Sequence, residues 1–360
     1  FELRWPKPMA WGIYYYPQRM PNPANLKAEL LDMKSNGLNM FCFDSGAKLN
    51  MTEKGPTWDL SELKSIMAAV KEVGGYEGPY PLLIGGALPP GPLEEPKFQV
   101  MREFMKFLES ERKKEGWPEF LYYLVDEPFQ DDRIEQAAKY YEAAKKVPGI
   151  RTYCTVGWKA VERAGQWIDV RTHSPTVAQG FEWPKIRESA LANKGEFWWY
   201  TNSTRCYFDV MRMKAGFFHW KIRATGQTYW HYCGPVMTPF CDFDGGSRDH
   251  CSTYPGLDGP IRTLQWEAHR DGVNDAKYAY TLEAAIADAK KAGVSAKAIA
   301  RAQAVLDGLA ARVNVDLAAM DAKHPDRKYA FHYFCEWPPE QFDQERDTLV
   351  NAILELKAAK

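Results

Sequence analysis

The stretch Tyr122-Tyr123-Leu124-Val125-Asp126-Glu127-Pro128 ends an uncharged run on two adjacent carboxylates. A carboxylate in such a place loses solvation unless it is paired or put to use. Two carboxyl groups at one spot suit acid–base work: one holds a proton for a leaving group while the other steadies developing positive charge. Neighbouring strand residues point to opposite sides, so both can enter one pocket only where the strand ends or twists. Pro128 supplies such an end. The structural alternative is that Asp126 caps the next helix and Glu127 pairs with an arginine.

The elements around this pair alternate regularly. Short β-rich runs occupy residues 11–16, 38–44, 80–86, 120–126, 151–156, 167–173, 196–201 and 228–233. They are continuous aromatic and β-branched stretches, as strands buried on both faces should be. Between them, amphipathic patterns predict helices over 25–35, 59–73, 94–115, 131–147, 159–164, 181–193 and 204–224, several closed by glycine. Eight strands separated by helices over about 250 residues predict a (β/α)8 TIM barrel. A doubly wound sheet would carry a Gly-rich first turn, and no GxGxxG comes after residues 11–17. Further helical patterns run over 261–292, 295–323 and 338–360. The expected organisation is a catalytic barrel over 1–292 with a helical C-terminal extension over 293–360.

In such a barrel, reactive groups project from the C-terminal ends of the strands. The residues at and just beyond the ends of the runs give Asp44, His173, Trp198, Trp199, Tyr200, Asn202, Trp230 and Tyr232 as candidate substrate-binding residues beside Asp126 and Glu127. Asp242 joins them from the Gly- and Asp-rich loop after the eighth run. Each has a plainer role available. One of the Trp pair must face the helices, Asp44 could cap a helix, and a lone His on a strand is usually a packing residue. By alternation Trp230 and Tyr232 point one way and His231 the other. Glu267, Arg270 and Asp271 are expected to form a structural charge network on a helix.

Composition narrows the partners. The 360 residues carry 46 basic and 47 acidic side chains, which gives no electrostatic reason to expect nucleic acid. No run approaches the roughly 18 apolar residues of a membrane span. Aromatic residues reach 14%, enough to fill a barrel core and still leave rings at strand ends for the apolar faces of sugars. None of the seven cysteines forms a CxxC pair and no zinc spacing occurs, so neither metal nor cofactor is expected. Cys241 and Cys251 could form a loop disulfide. The chain begins at Phe1 without a visible signal peptide.

The Asp126-Glu127-Pro128 strand end resembles the barrel of glycoside hydrolase family 123. Residues 260–278 are similar to that family's pattern of an arginine (Arg262), a Trp-Glu pair (Trp266-Glu267), then Arg270-Asp271-Gly272-Val273 with Asp275 and Tyr278. The segment from Phe217-Phe218-His219-Trp220 to Gly226, and then Tyr229-Trp230, resembles its seventh helix and eighth strand. The resemblance spans roughly residues 11–290 and departs in one respect: the family's N-terminal β-sandwich is missing. It implies a retaining exo-β-N-acetylhexosaminidase, β-N-acetylgalactosaminidase above all, acting without metal on a glycan or glycoconjugate. Export to the periplasm or outside the cell would accompany that activity. Its carried-over roles make Glu127 the general acid/base and Asp126 the polariser of the substrate acetamido group. The residues agree on one point, since the seventh run ends without a carboxylate, as expected when the substrate's own acetamido oxygen is the nucleophile. Two other readings stay open: a conventional two-carboxylate glycosidase using Asp242 or Asp244, and a carbohydrate-binding barrel without activity.

Overall fold

The computed structural model describes residues 1–17, 23–173, 182–200, 207–233, 240, 251–323 and 335–359. The chain divides into two compact units, one formed by Ala10–Thr204 with Gly226–Arg262 and one by Phe1–Met9, Arg205–Thr225 and Thr263–Lys360. The second unit therefore takes in helix 264–291, whereas the sequence rhythm assigned that helix to the barrel.

The first unit alternates strands and helices: β1 (Ala10–Trp11), α1 (Leu26–Ser35), β2 (Phe43–Asp44), β3 (Lys48–Thr52), β4 (Gly55–Asp59), α2 (Ser61–Glu72), β5 (Tyr80–Leu83), α3 (Glu95–Glu115), β6 (Phe120–Tyr123), α4 (Asp131–Ala144), β7 (Arg151–Val156), α5 (Trp158–Ala164), β8 (Val170–His173), α6 (Trp183–Ala192), β9 (Glu196–Tyr200), β10 (Gly226–Thr228), β11 (Thr253–Pro255) and β12 (Pro260–Arg262). Eight of the strands form one curled parallel sheet in the order β1-β10-β9-β8-β7-β6-β5-β2. Outside the named strands, Tyr14 and Cys42 form an isolated parallel bridge, with Tyr15 N donating to Cys42 O and Cys42 N to Ile13 O, each at 2.8 Å.

Strand alternation sorts side chains onto two faces. The convex face meets the helices: Tyr122 reaches Met105 O and Glu109 of α3, and Arg171 reaches Ser189 of α6. The concave face is filled by layers of side chains. Arg151 bridges Glu119 and Glu196 in the lowest layer. Above it Trp198 packs edge-on to Tyr153, centroids 5.7 Å apart. The indole fits because its neighbour in register is Gly226, where a Cβ would lie 2.6 Å from the ring. Gly12 makes similar room for Met40, whose sulfur would collide with a Cβ there.

Several strands are shorter than their apolar runs. The run 38–44 pairs as a strand only over Phe43–Asp44 because the Asn39 side chain occupies the ladder, its Oδ1 accepting from Trp11 N at 2.8 Å. The hairpin β3–β4 gave no sequence signal, since residues 48–59 are mostly polar and exposed. It is anchored by Trp58, which stacks on Phe107 and donates through Nε1 to Ala87 O at 3.0 Å. Cys251 is buried with its sulfur 3.6 Å from His231 Nε2, and Cys241, the other half of the suggested disulfide, lies outside the described residues.

The other unit is helical: α7 (Phe208–Met213), a π-turn over Lys214–Phe218, α8 (His219–Ile222), α9 (Leu264–Lys291), α10 (Ala296–Arg312), α11 (Leu317–Ala322) and α12 (Pro339–Ala358). The expected single helix over 204–224 is interrupted at Gly216, whose φ −106°, ψ −111° is not helical. A Cβ on Gly216 would sit 2.8 Å from Gly272 O, and one on Gly272 would overlap Arg212 O. The backbones thus approach where only glycine fits. Asp275 is buried between Arg212 (2.7 Å) and Arg346 (2.6 Å). These contacts give the Gly272–Asp275 motif a packing role within this unit. Arg270 bridges Glu267 at 2.6 Å, as expected of a structural network.

Candidate functional site

Parallel strands put all their C-terminal ends on one edge of the curled sheet, and the carboxylate pair stands there at the end of β6. Ladder pairing stops at Tyr123, and Glu127 takes a left-handed φ of 42°. For a residue with a Cβ this conformation costs energy and persists only where the surroundings impose it. The chain therefore turns between the two acids, and Phe129 N closes the turn on Glu127 O at 2.9 Å. Asp126 is exposed, its Oδ1 accepting the Tyr123 hydroxyl. The N-cap of helix α4 is Gln130, with no side-chain cap, so Asp126 does not cap it. Arg133 donates to the Asp126 backbone oxygen at 2.5 Å.

Glu127 is half-buried. Packing around its carboxyl, then the charge of Asp126, pushes it up to about 7 against the opposing pull of Arg133. It can thus hold a proton at neutral pH beside an acidic neighbour, the division of labour wanted in an acid–base pair.

Beneath the pair lies a floor of buried hydroxyls. Tyr123 Oη is 3.2 Å from Thr155 Oγ1, which is 3.4 Å from Tyr14 Oη; Tyr14 is 3.2 Å from Tyr153 Oη, which is 3.1 Å from Thr228 Oγ1. Tyr200 is buried at the end of β9, its ring edge-on to Tyr14 at 5.6 Å. Burial first, then the negative charge of Glu127, keeps its phenol strongly protonated. Tyr16 also bears on Tyr200 electrostatically and lies with its ring 6.1 Å from His231.

The sequence candidates fall into three groups. Asp44 is half-buried at the end of β2, on the same face as Cys42, whose thiol the charges of Asp126 and Asp44 both help to push up after burial. Its Oδ1 also accepts from Gly46 N at 2.9 Å. Tyr200 shares the concave face, and half-buried Trp230 stands beyond β10 with its ring 3.7 Å from that of His231. Trp198 is on this face too but fully buried one layer down, its Nε1 donating to Glu196. In the second group, His173 and Trp199 share the convex face and pack together at 6.1 Å, with His173 Nδ1 3.0 Å from Val156 O. Tyr232 likewise turns away, its hydroxyl 2.9 Å from Asp32 of α1. The expected Trp230/Tyr232 alternation is not found because β10 ends at Thr228, before either residue. Asn202 and Asp242 lie outside the described residues.

Tyr14, Tyr123, Tyr153 and Thr155, in the hydroxyl floor, and Tyr16, near Tyr200, accompany the acid pair without having been singled out from the sequence. Their signal was present: Tyr14/Tyr16 and Tyr153/Thr155 are hydroxyl pairs at i, i+2, which share a strand face. Among the described residues, no cluster of three or more His, Cys, Asp or Glu side chains could hold a metal ion, and no helix is long and apolar enough to cross a membrane.

No family profile and no curated protein matches this sequence. Among solved structures, the fold is similar to a family 123 glycoside hydrolase from Clostridium perfringens, described for glycolipid glycan hydrolysis. The TM-score is 0.63 at 10% identity, over 97% of this chain and 68% of that one. It is also similar to a GH39 enzyme from Xanthomonas axonopodis pv. citri, with TM-score 0.50 and 14% identity over 73% of this chain and 65% of that one. At these identities the likeness establishes a shared fold, the curled eight-stranded parallel sheet of such barrels.

Proposed function

We propose that the chain is a glycoside hydrolase built on a (β/α)8 barrel: a retaining exo-β-N-acetylhexosaminidase, with β-N-acetylgalactosaminides as favoured substrates. The observation that carries this reading is the pairing of Glu127, held protonated up to about 7 on a left-handed turn, with Asp126 at the sheet's C-terminal edge. The two structurally similar glycoside hydrolases support the substrate class.

In this mechanism Glu127 gives its proton to the glycosidic oxygen as the bond from C1 breaks. The substrate's acetamido oxygen attacks C1 from the opposite face and forms an oxazolinium ion. Asp126 accepts the acetamido N–H and stabilises the positive charge that spreads over the ring. Glu127, now a carboxylate, takes a proton from water as that water attacks C1 and reopens the ring. Two inversions retain the configuration. Tyr200, Asp44 and Trp230 border the sugar: the first two offer polar groups to its hydroxyls and the third an aromatic face. Tyr200 ends the described part of β9 without a carboxylate, in keeping with a nucleophile supplied by the substrate.

A thiazoline analogue of the oxazoline is the test. It should inhibit the native chain competitively, and Asp126→Asn should weaken that inhibition roughly 10- to 100-fold, the loss expected for a hydrogen bond to a charged group. Absence of thiazoline inhibition in a chain that cleaves glycosides would refute neighbouring-group participation.

A further inference from the structure

We infer that Tyr123 is a positioning residue for Asp126 and that a chain of hydroxyls crossing the sheet interior holds it in that role. This rests on Asp126 acting as the acetamido polariser.

An ionised Asp126 can only accept hydrogen bonds, so the proton of Tyr123 must point to it. The same hydroxyl lies 3.2 Å from Thr155 Oγ1, a second acceptor on its inner side. Beyond it Thr155 is 3.4 Å from Tyr14, Tyr14 3.2 Å from Tyr153, and Tyr153 3.1 Å from Thr228, contacts in which either hydroxyl can donate. Linked hydroxyls polarise one another, most strongly where water is excluded, and together they fix the place of the Tyr123 hydroxyl beneath Asp126. All five hydroxyl side chains are buried at 5% exposure or less. They come from β6, β7 and β10 and from Tyr14 beyond β1, so the chain draws on four separate parts of the sheet.

The consequence for catalysis is geometric. Asp126 is itself exposed, and a free carboxylate there would rotate about its side-chain bonds. Fixing Oδ1 with Tyr123 leaves the other oxygen aimed at one point, as required to orient an acetamido group before attack. The loss of Tyr123 should therefore appear in kcat more than in KM.

The experiment is a double-mutant cycle on an aryl β-N-acetylgalactosaminide, with thermal melting to confirm folding. Tyr123→Phe should lower kcat roughly tenfold and leave KM within about twofold, as for one hydrogen bond to a charged group. Added to Asp126→Asn it should cost no more than about threefold further, because the two act as one unit. Thr155→Val, which keeps the branched shape, should cost roughly threefold alone and nothing further in the Tyr123→Phe background. Tyr122→Phe, whose hydroxyl faces Glu109 on the other side of β6, should leave kcat unchanged. Tyr123→Phe and Asp126→Asn losses that multiply fully would overturn the inference, as would a Tyr123→Phe enzyme of native kcat. If Asp126→Asn alone stayed within about twofold of native, the role given to Asp126 would fall instead, and Tyr123 with it.

Discussion

Replacing Glu127 by Gln should stabilise the protein at pH 8 and change little at pH 4. The carboxyl ordinarily titrates near 4.5 and is pushed up to about 7 here, chiefly by desolvation and then by Asp126. A raised carboxyl binds its proton more tightly in the folded chain than in the unfolded one. Its contribution is fully present below 4.5, declines as pH rises, and is gone above 7, where the folded state must hold an unfavourable charge. The difference between 4.5 and about 7 corresponds to an upper bound of about 3 kcal/mol. Glu127 is half-buried and solvent screens part of its charge, so about 1–2 kcal/mol is the working figure. Gln carries no charge and escapes the penalty, giving a gain in Tm of roughly 1–3 °C at pH 8. Calorimetric melting of both proteins from pH 4 to pH 8 is the assay. Glu29, on the buried face of α1 against Tyr15, is pushed up to about 7 as well and adds pH dependence of the same sign. It is present in both proteins and cancels in their difference. A Tm difference that stayed constant with pH, or a Gln variant less stable at pH 8, would refute the placement of Glu127 in a desolvating, negatively charged pocket.

Other parts of the structure set three more expected outcomes. Catalytic efficiency should fall as pH rises through about 7, because only protonated Glu127 can serve the leaving group; a profile flat to pH 9 would contradict this. Trp230→Ala should raise KM roughly three- to tenfold through loss of an aromatic face, whereas His173→Ala, on the convex side, should cost roughly 1–3 kcal/mol of stability and leave KM unchanged. Chemical denaturation should find Gly272→Ala destabilised by roughly 2–3 kcal/mol, since its Cβ would meet Arg212 O, a backbone atom that cannot rotate away.

The strand–helix rhythm was legible because strands covered on both faces must be apolar throughout, and such runs stand out. Where they end was less so. Asn39 shortens the pairing of its run through its side chain, and no periodicity reports a side chain entering a ladder. The acid pair was legible from the abrupt change of Val125 to Asp126-Glu127. The direction in which each strand-end residue points was not. Alternation separates Trp198 from Trp199 but does not say which faces the helices; that depends on Gly226 opening space in the neighbouring strand. Alternation also ceases to apply once pairing stops at Thr228, which is why Tyr232 turns to Asp32 rather than joining Trp230. The hydroxyl floor escaped notice because tyrosines in an aromatic-rich chain read as packing. The Gly272–Asp275 motif stood out as a pattern, yet its contacts with Gly216, Arg212 and Arg346 are those of helix packing.

The most direct measurement is hydrolysis of aryl β-N-acetylgalactosaminide, β-N-acetylglucosaminide and β-galactoside by the native chain and by Glu127→Gln. Turnover confined to the acetamido sugars, galacto above gluco, and lost in the variant for poor leaving groups is the result expected. Cleavage of the plain β-galactoside at an equal or greater rate would contradict the substrate-assisted mechanism and require a second protein carboxylate as nucleophile.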